Sequence, residues 1–177
     1  MNIQLQFFSG VSSTTARWIF AGISAFSVML LAAAYYIQYG PGALQPCPLC
    51  VLQRYVYLGI AALALVASAF GAKRVVAMAM AGSLSVCGMI GAALAFWQLT
   101  KGSSMTSCLT DPVGQFVYGL PMRAWWPEFL GAYAGCADVI PPIFGLSIPL
   151  WSLLCFLAIT LVCDVLLVNL SRKPPTP

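Results

Sequence analysis

The sequence predicts an all-α integral membrane protein, a four-helix bundle that forms a single domain over residues 1–177. Composition is the first reason: 61% of the residues are hydrophobic and 7% are charged, whereas soluble domains carry about 25% charged residues. The second reason is that the chain contains four apolar stretches of about 20 residues or more, enough for a helix to cross a hydrocarbon core of about 30 Å. Helices satisfy their own backbone groups, as lipid requires.

The predicted spans cover about Trp18–Ile37, Val51–Phe70, Val75–Trp97 and Ile148–Leu170. The first follows Arg17 and contains small residues at its end, as a cleaved signal peptide does. Its apolar run is longer than the roughly 7–15 residues of such signals, so we interpret it as a span.

The basic residues predict the orientation of these spans. Five of them fall on one side of the membrane: Arg17, Lys73, Arg74, Arg172 and Lys173. The positive-inside rule then places both termini in the cytoplasm, and the two long loops, residues 38–50 and 98–147, face the exterior or a bacterial periplasm. The net charge of +4 includes no Lys/Arg-rich run, so no nucleic-acid partner is expected.

The cysteines agree with this orientation. Four of the seven fall in the outward loops: Cys47, Cys50, Cys108 and Cys136. That compartment is one in which disulfides persist. The other three, Cys87, Cys155 and Cys163, lie within apolar helices, where a free cysteine packs as a small hydrophobic residue.

The second outward loop is long enough to need a constraint or a function. A bridge between Cys108 and Cys136 would close it, with a stabilisation of about 3–4 kcal/mol by the chain-entropy estimate. The stretch Met122–Leu130 includes Trp125 and Trp126, and tryptophan favours the headgroup level. We expect a short interfacial helix there, either as a general membrane anchor or as a tether that keeps Cys136 near Cys47 and Cys50.

The entrance of the second helix contains the sequence Cys47-Pro48-Leu49-Cys50 with Arg54 one turn later. Pro48 suits the first turn of a helix, and the spacing places both thiols and Arg54 on one face. The positive end of the helix dipole and a nearby arginine favour the thiolate, the reactive form of cysteine. Arg54 either extends to the membrane surface or steadies a thiolate and a carbonyl-bearing or anionic partner in the lipid.

Other chemistries fit this stretch less well. A CxxC pair can bind zinc or belong to a thioredoxin fold, but the chain has no histidine and no βαβ pattern, so no metal site is predicted. It also has no GxGxxG or phosphate-loop signature.

The run Cys47–Cys50 with Arg54, the four spans and the second pair at Cys108 and Cys136 resemble the bacterial disulfide bond formation protein B family. The resemblance covers essentially the whole chain. It implies an inner-membrane, quinone-dependent protein-disulfide oxidoreductase. Such an enzyme reoxidises a periplasmic thioredoxin-like dithiol protein of the DsbA type and passes the electrons to ubiquinone or menaquinone.

The resemblance also implies a role for each site residue. The thiolate of the partner would attack Cys108, and Cys136 would pass electrons to Cys47 through an interloop disulfide. Cys50 would meet the quinone, with Arg54 beside it. Two positions depart from some family members: Gln98 is the nearest polar residue where those members have a histidine, and Gln53 stands where they have an acid.

Two alternatives remain at this stage. One is a thiol enzyme coupled to quinone that resembles vitamin K epoxide reductase, although the CxxC of that family lies near a later helix. The other is a membrane transporter for soft metals or a scaffold with structural disulfides. Transporters usually carry acids or histidines inside their spans, and Asp164 is the acid available here.

Overall fold

The computed structural model describes residues 13–40, 45–101, 112–134, 142 and 144–172. Four long helices occupy these residues: α1 (Ser13–Tyr39), α2 (Pro48–Phe70), α3 (Arg74–Lys101) and α6 (Ile148–Ser171). Between α3 and α6 lie α4 (Pro112–Tyr118), a 3-10 helix (Pro121–Ala124) and the short α5 (Pro127–Leu130). Each long helix is long and apolar enough to cross a membrane. The predicted all-α membrane bundle is confirmed, and the chain is a multi-pass membrane protein.

The helices extend beyond the predicted spans at several ends. Helix α1 continues through Tyr39 and α3 through Lys101, while α2 already begins at Pro48. Residues 38–39, 48–50 and 98–101, which were predicted to lie in the two long loops, are therefore helical. The cause is that polar residues such as Gln38 and Gln98 continue the helical turns beyond the apolar runs from which the spans were predicted.

Packing places α2 between α1 and α3, and α6 against α3. The large side chains Phe20, Ile60, Leu84 and Phe156 are fully buried in the shared core. Many other large apolar side chains, among them Trp18, Phe70 and Leu161, point outward. An outward apolar surface of this extent is the surface that lipid covers.

Helices α3 and α6 approach closely because α3 has glycines at the contact. A Cβ atom at Gly88 would collide with the Thr160 hydroxyl, and one at Gly91 would collide with the ring of Phe156. The same Phe156 ring stacks on Tyr57 of α2, with ring centroids 4.1 Å apart. Small residues that let helix backbones meet are the usual basis of packing in lipid, and here they fix α6 relative to α2 and α3.

The segment between α3 and α6 covers the Cys47 end of α2. Val51 of α2, Val117 of α4 and Ala132 form a small buried cluster. The Tyr118 hydroxyl donates to the carbonyl oxygen of Ala132 at 2.7 Å. This segment therefore folds back onto the start of α2.

Candidate active site

Cys47 and Cys50 lie together at the start of α2. Cys47 is the N-cap residue, with extended backbone angles (φ −83°, ψ 165°), and Pro48 occupies the first turn as predicted. The Cys47 sulfur accepts the backbone N–H of Cys50 at 3.3 Å, a role that serine, threonine or aspartate usually has at a cap. The two sulfur atoms are 2.9 Å apart. The capping geometry thus holds the pair within reach of a disulfide.

A side-chain amide from α3 contacts both sulfurs. Gln98 Nε2 lies 3.3 Å from the Cys47 sulfur and 3.1 Å from the Cys50 sulfur. Gln98 Oε1 accepts a hydrogen bond of 2.7 Å from Gln53 Nε2. Both glutamines are buried, with 8% and 5% of their surface exposed for Gln98 and Gln53. A pair of buried amides therefore closes the side of the dithiol that faces α3.

Arg54 is buried within the protein, with 8% of its surface exposed. Its Nη1 donates to Gln38 Oε1 of α1 and to the carbonyl oxygen of Phe129 in α5, both at 2.6 Å. Its guanidinium carbon lies 4.4 Å from the centre of the Phe129 ring, a cation–π contact. The Arg54 side chain therefore points into the protein, where it joins α1, α2 and α5 beside the dithiol.

Gln38 completes this junction. Its Nε2 donates to the carbonyl oxygen of Glu128 at 2.7 Å, next to the Phe129 carbonyl that Arg54 binds. Both described hydrogen bonds of the guanidinium use Nη1. Nε and Nη2 have no hydrogen-bond partner among the residues that the structure describes, so these two donors are available to a carbonyl oxygen of a bound molecule.

The stretch predicted to be an interfacial helix contains α5. The Trp126 ring packs at a tilt against the rings of Phe129 and Tyr35, with ring centroids 5.0 Å and 6.1 Å apart. Trp125 is almost fully exposed. Trp126 thus belongs to the aromatic cluster around Arg54, whereas Trp125 faces outward, as expected of an interfacial anchor.

The chain after α5 is attached to the residue before Cys47. The backbone N–H groups of Tyr133 and Ala134 both donate to the carbonyl oxygen of Pro46, at 3.0 Å and 3.3 Å. The Tyr133 hydroxyl donates to the carbonyl oxygen of Pro127. The second loop therefore meets the first loop directly beside the dithiol.

The structure brings together three of the five predicted site residues, Cys47, Cys50 and Arg54. Cys108 and Cys136 lie outside the described residues. Cys87 and Cys155 are partly buried against the core, and Cys163 is fully buried, as expected for packing residues. From the sequence, Gln98 and Gln53 were noted only as positions that depart from some family members. Their contacts beside the dithiol were not predicted, and neither was the contact of Gln38 with Arg54. The signal available in the sequence was a polar residue near the end of an apolar helix.

Comparisons with known proteins agree on one family. The family model described as "Disulfide bond formation protein DsbB" matches residues 16–166. A protein of Ralstonia nicotianae named "Disulfide bond formation protein B" is 35% identical over 158 residues, which cover 89% of this chain and 98% of that protein. A protein of the same name from Cupriavidus metallidurans is 36% identical, and the match covers 89% of this chain and 96% of that protein. Another from Pseudomonas syringae pv. tomato is 33% identical, and the match covers 82% of this chain and 85% of that protein.

Proposed function

This chain belongs to the disulfide bond formation protein B family, and on that premise we propose that it is a quinone-dependent protein-disulfide oxidoreductase. Its substrate is a periplasmic thioredoxin-like dithiol protein of the DsbA type, and its electron acceptor is a membrane quinone. The dithiol protein loses two electrons and two protons as its disulfide forms, and the quinone gains them as it becomes a quinol. The overall reaction is therefore balanced without another oxidant.

The observation that carries this proposal is the pair of sulfurs at the start of α2. They lie 2.9 Å apart, at the end of a helix that is long and apolar enough to cross a membrane. A lipid-soluble acceptor and a thiol from an aqueous compartment can both reach such a position. The partial exposure of Cys50, compared with the buried Cys47, supports Cys50 as the sulfur that faces the acceptor.

The first half of the relay involves the two cysteines of the second loop. The thiolate of the partner attacks the Cys108 sulfur of a Cys108–Cys136 disulfide and forms a mixed disulfide, as thiol–disulfide exchange requires. The released Cys136 thiolate then attacks Cys47 of the Cys47–Cys50 disulfide, and Cys50 leaves as a thiolate. The second thiol of the partner resolves the mixed disulfide and releases Cys108. The Cys108 thiolate then attacks Cys136 of the interloop disulfide, so that the Cys108–Cys136 disulfide forms again and Cys47 is released. Cys47 and Cys50 together now hold the two electrons that reduce the quinone, and their disulfide re-forms as the quinol leaves.

The attachment of Tyr133 and Ala134 to Pro46 supports this transfer between loops. Cys136 follows Ala134 by two residues, and two residues span at most about 7 Å. Pro46 directly precedes Cys47 in the chain. The anchor therefore limits the distance over which a Cys136–Cys47 disulfide has to form.

The second half takes place at Cys50 and Arg54. A bound quinone supplies a two-electron, two-proton acceptor. Cys50 presents its thiolate, and the Nε and Nη2 donors of Arg54 hold a carbonyl oxygen of the acceptor. Because Nη1 is fixed by Gln38 and Phe129, these donors are already oriented before the acceptor binds, which lowers the entropic cost of binding.

We further propose that the protein lies in the bacterial inner membrane with both termini in the cytoplasm and all four loop cysteines in the periplasm. The supporting residues are the arginines at the end of the bundle away from Cys47. Arg17 Nε donates to the Ser68 carbonyl at 2.7 Å, and Arg74 Nε donates to the Leu170 carbonyl at 2.5 Å. A cluster of arginines at one end is typical of the cytoplasmic side.

The test is a coupled assay with purified protein in detergent. Reduced DsbA-type protein and a soluble quinone analogue are supplied, and loss of quinone absorbance is followed together with loss of partner thiols. We expect one quinol per partner disulfide. Partner oxidation without quinol formation, or no turnover at all, would refute the proposed function and would favour a different partner or a non-enzymatic role.

A further inference from the structure

The neutral side chain of Gln98 contacts both sulfurs of the Cys47–Cys50 pair. Gln98 Nε2 has two N–H groups, and the two sulfurs lie 3.3 Å and 3.1 Å from the nitrogen. Each N–H can therefore point at one sulfur. Hydrogen bonds in which the acceptor is ionised are about twice as strong as those between neutral groups, so this amide stabilises the reduced pair most when one sulfur is a thiolate.

The orientation of the Gln98 amide is fixed by its neighbour. Gln53 Nε2 donates to Gln98 Oε1 at 2.7 Å, which turns the Gln98 carbonyl away from the sulfurs and its NH2 group towards them. The reverse orientation would place an acceptor lone pair against the sulfur that carries the negative charge. Since both amides are buried, water does not compete for these bonds.

In the described part of the chain, Arg54 does not donate a hydrogen bond to either of the two sulfurs. The hydrogen bonds of its guanidinium go to Gln38 and to the Phe129 carbonyl. Cys50 accepts from the Cys47 thiol at 2.9 Å and from Gln98 at 3.1 Å. When Cys47 enters the interloop disulfide it loses its S–H, and Gln98 is then the described side-chain donor that remains on Cys50, beside the backbone of Cys47.

We propose that Gln98 is a catalytic residue that stabilises the Cys50 thiolate and so makes the Cys47–Cys50 disulfide easier to reduce, with Gln53 as the positioning residue that orients its amide. On reduction the S–S bond breaks, two electrons enter, Cys47 takes a proton and Cys50 keeps the negative charge. Neither glutamine titrates, so the stabilisation is present at every pH at which the thiolate exists. The inference rests on the proposed function only in taking Cys47 and Cys50 as the redox pair.

The experiment measures how easily this pair is reduced, without quinone or partner protein. Full-length protein carrying Cys108→Ser and Cys136→Ser is equilibrated with mixtures of reduced and oxidised glutathione. In that exchange two glutathione thiols supply two electrons and two protons and leave as glutathione disulfide; one proton goes to Cys47 and the other to the buffer. The Cys47–Cys50 disulfide is quantified by alkylation and gel shift.

Three variants at the amide pair and one control are compared in this background. Gln98→Leu removes both donors, and Gln98→Glu keeps the size and shape of the side chain while placing a carboxylate beside the sulfurs. Gln53→Leu removes the orienting bond only. The control, Gln115→Leu, makes the same chemical change at an exposed position of α4.

The equilibrium constant should shift towards the disulfide about fivefold for Gln98→Leu and about tenfold for Gln98→Glu. A tenfold shift corresponds to about 30 mV in the reduction potential of the pair. Gln53→Leu should shift it less, about threefold, and Gln115→Leu not at all. A residue that only packed would leave this equilibrium unchanged in Gln98→Leu and in Gln53→Leu, so a shift that follows loss or misorientation of the amide N–H groups separates the two roles.

A constant within about twofold of the parent for Gln98→Leu overturns the proposal. If Gln98→Leu does not fold, Gln53→Leu decides by the same criterion. Failure of the proposed function has a different signature: the equilibrium would still depend on Gln98, while the wild-type protein would show no quinone reduction in the coupled assay.

Discussion

Arg54 is bound to Phe129 in two ways: its Nη1 donates to the Phe129 carbonyl at 2.6 Å, and its guanidinium lies 4.4 Å from the centre of the Phe129 ring. The two residues are 75 positions apart in the chain. This buried cation therefore helps to fix α5 of the second loop above the first turns of α2. This links the proposed acceptor site to the proposed path of electrons from the loop.

We predict that Arg54→Ala raises the Michaelis constant for a quinone analogue about tenfold and also lowers the free energy of unfolding by about 2–4 kcal/mol. The second effect follows because Gln38 Oε1 and the Phe129 carbonyl lose a charged donor in a buried position. Steady-state kinetics and thermal unfolding in detergent measure the two effects. Arg17→Ala, which removes an arginine at the opposite end of the bundle, serves as the control and should leave the Michaelis constant unchanged.

Arg54→Lys separates charge from geometry. Lysine keeps the positive charge but lacks the planar set of donors that can hold both protein carbonyls and an acceptor. We expect a Michaelis constant between those of the wild type and Arg54→Ala. A wild-type value for Arg54→Ala itself would mean that the arginine fixes the loop without contributing to acceptor binding.

Cys50→Ser is predicted to abolish quinone reduction, because serine provides neither a thiolate nor a disulfide partner for Cys47. Activity in the coupled assay should fall below about one thousandth of the wild-type rate, as for loss of an essential nucleophile. Cys87→Ser, a partly buried cysteine within α3, is the matched control and should retain activity. Substantial turnover by Cys50→Ser would exclude Cys50 as the sulfur at the acceptor end.

The packing of α3 on α6 gives a prediction about stability alone. Gly91→Val should lower the free energy of unfolding by about 1–3 kcal/mol, because the added side chain overpacks a contact that already touches the Phe156 ring. Gly59→Val is the control, since a Cβ at Gly59 meets nothing within 4 Å. Thermal unfolding of the two variants in the same detergent compares them; equal unfolding temperatures would show that the close approach at Gly91 is not a stabilising contact.

Much of the fold followed from composition and from the length of the apolar runs, because a helix that crosses lipid has to be both long and apolar. The place of Pro48 in the first turn of α2 also followed, since proline suits that position. The contact of Gln98 with the sulfurs did not. Helix α3 is apolar on nearly all sides, so its sequence does not indicate which face meets α2.

The position of Arg54 was equally hard to predict. Whether an arginine in the first turns of a span extends to the surface or turns inward depends on what covers that end of the helix. Here the cover consists of Gln38 from α1 and Phe129 from α5, and no local pattern pairs these residues with Arg54. The roles of Cys108 and Cys136 remain a prediction from the family.

The most direct measurement is a single turnover with the Cys108→Ser protein. This variant is first reduced so that Cys47 and Cys50 are thiols, freed of reductant, and then mixed with one equivalent of a quinone analogue. We predict one quinol formed and two thiols lost per protein, even though the same variant cannot oxidise the dithiol protein. No quinol formation by the reduced, folded protein would contradict the claim that Cys47 and Cys50 pass electrons directly to the acceptor.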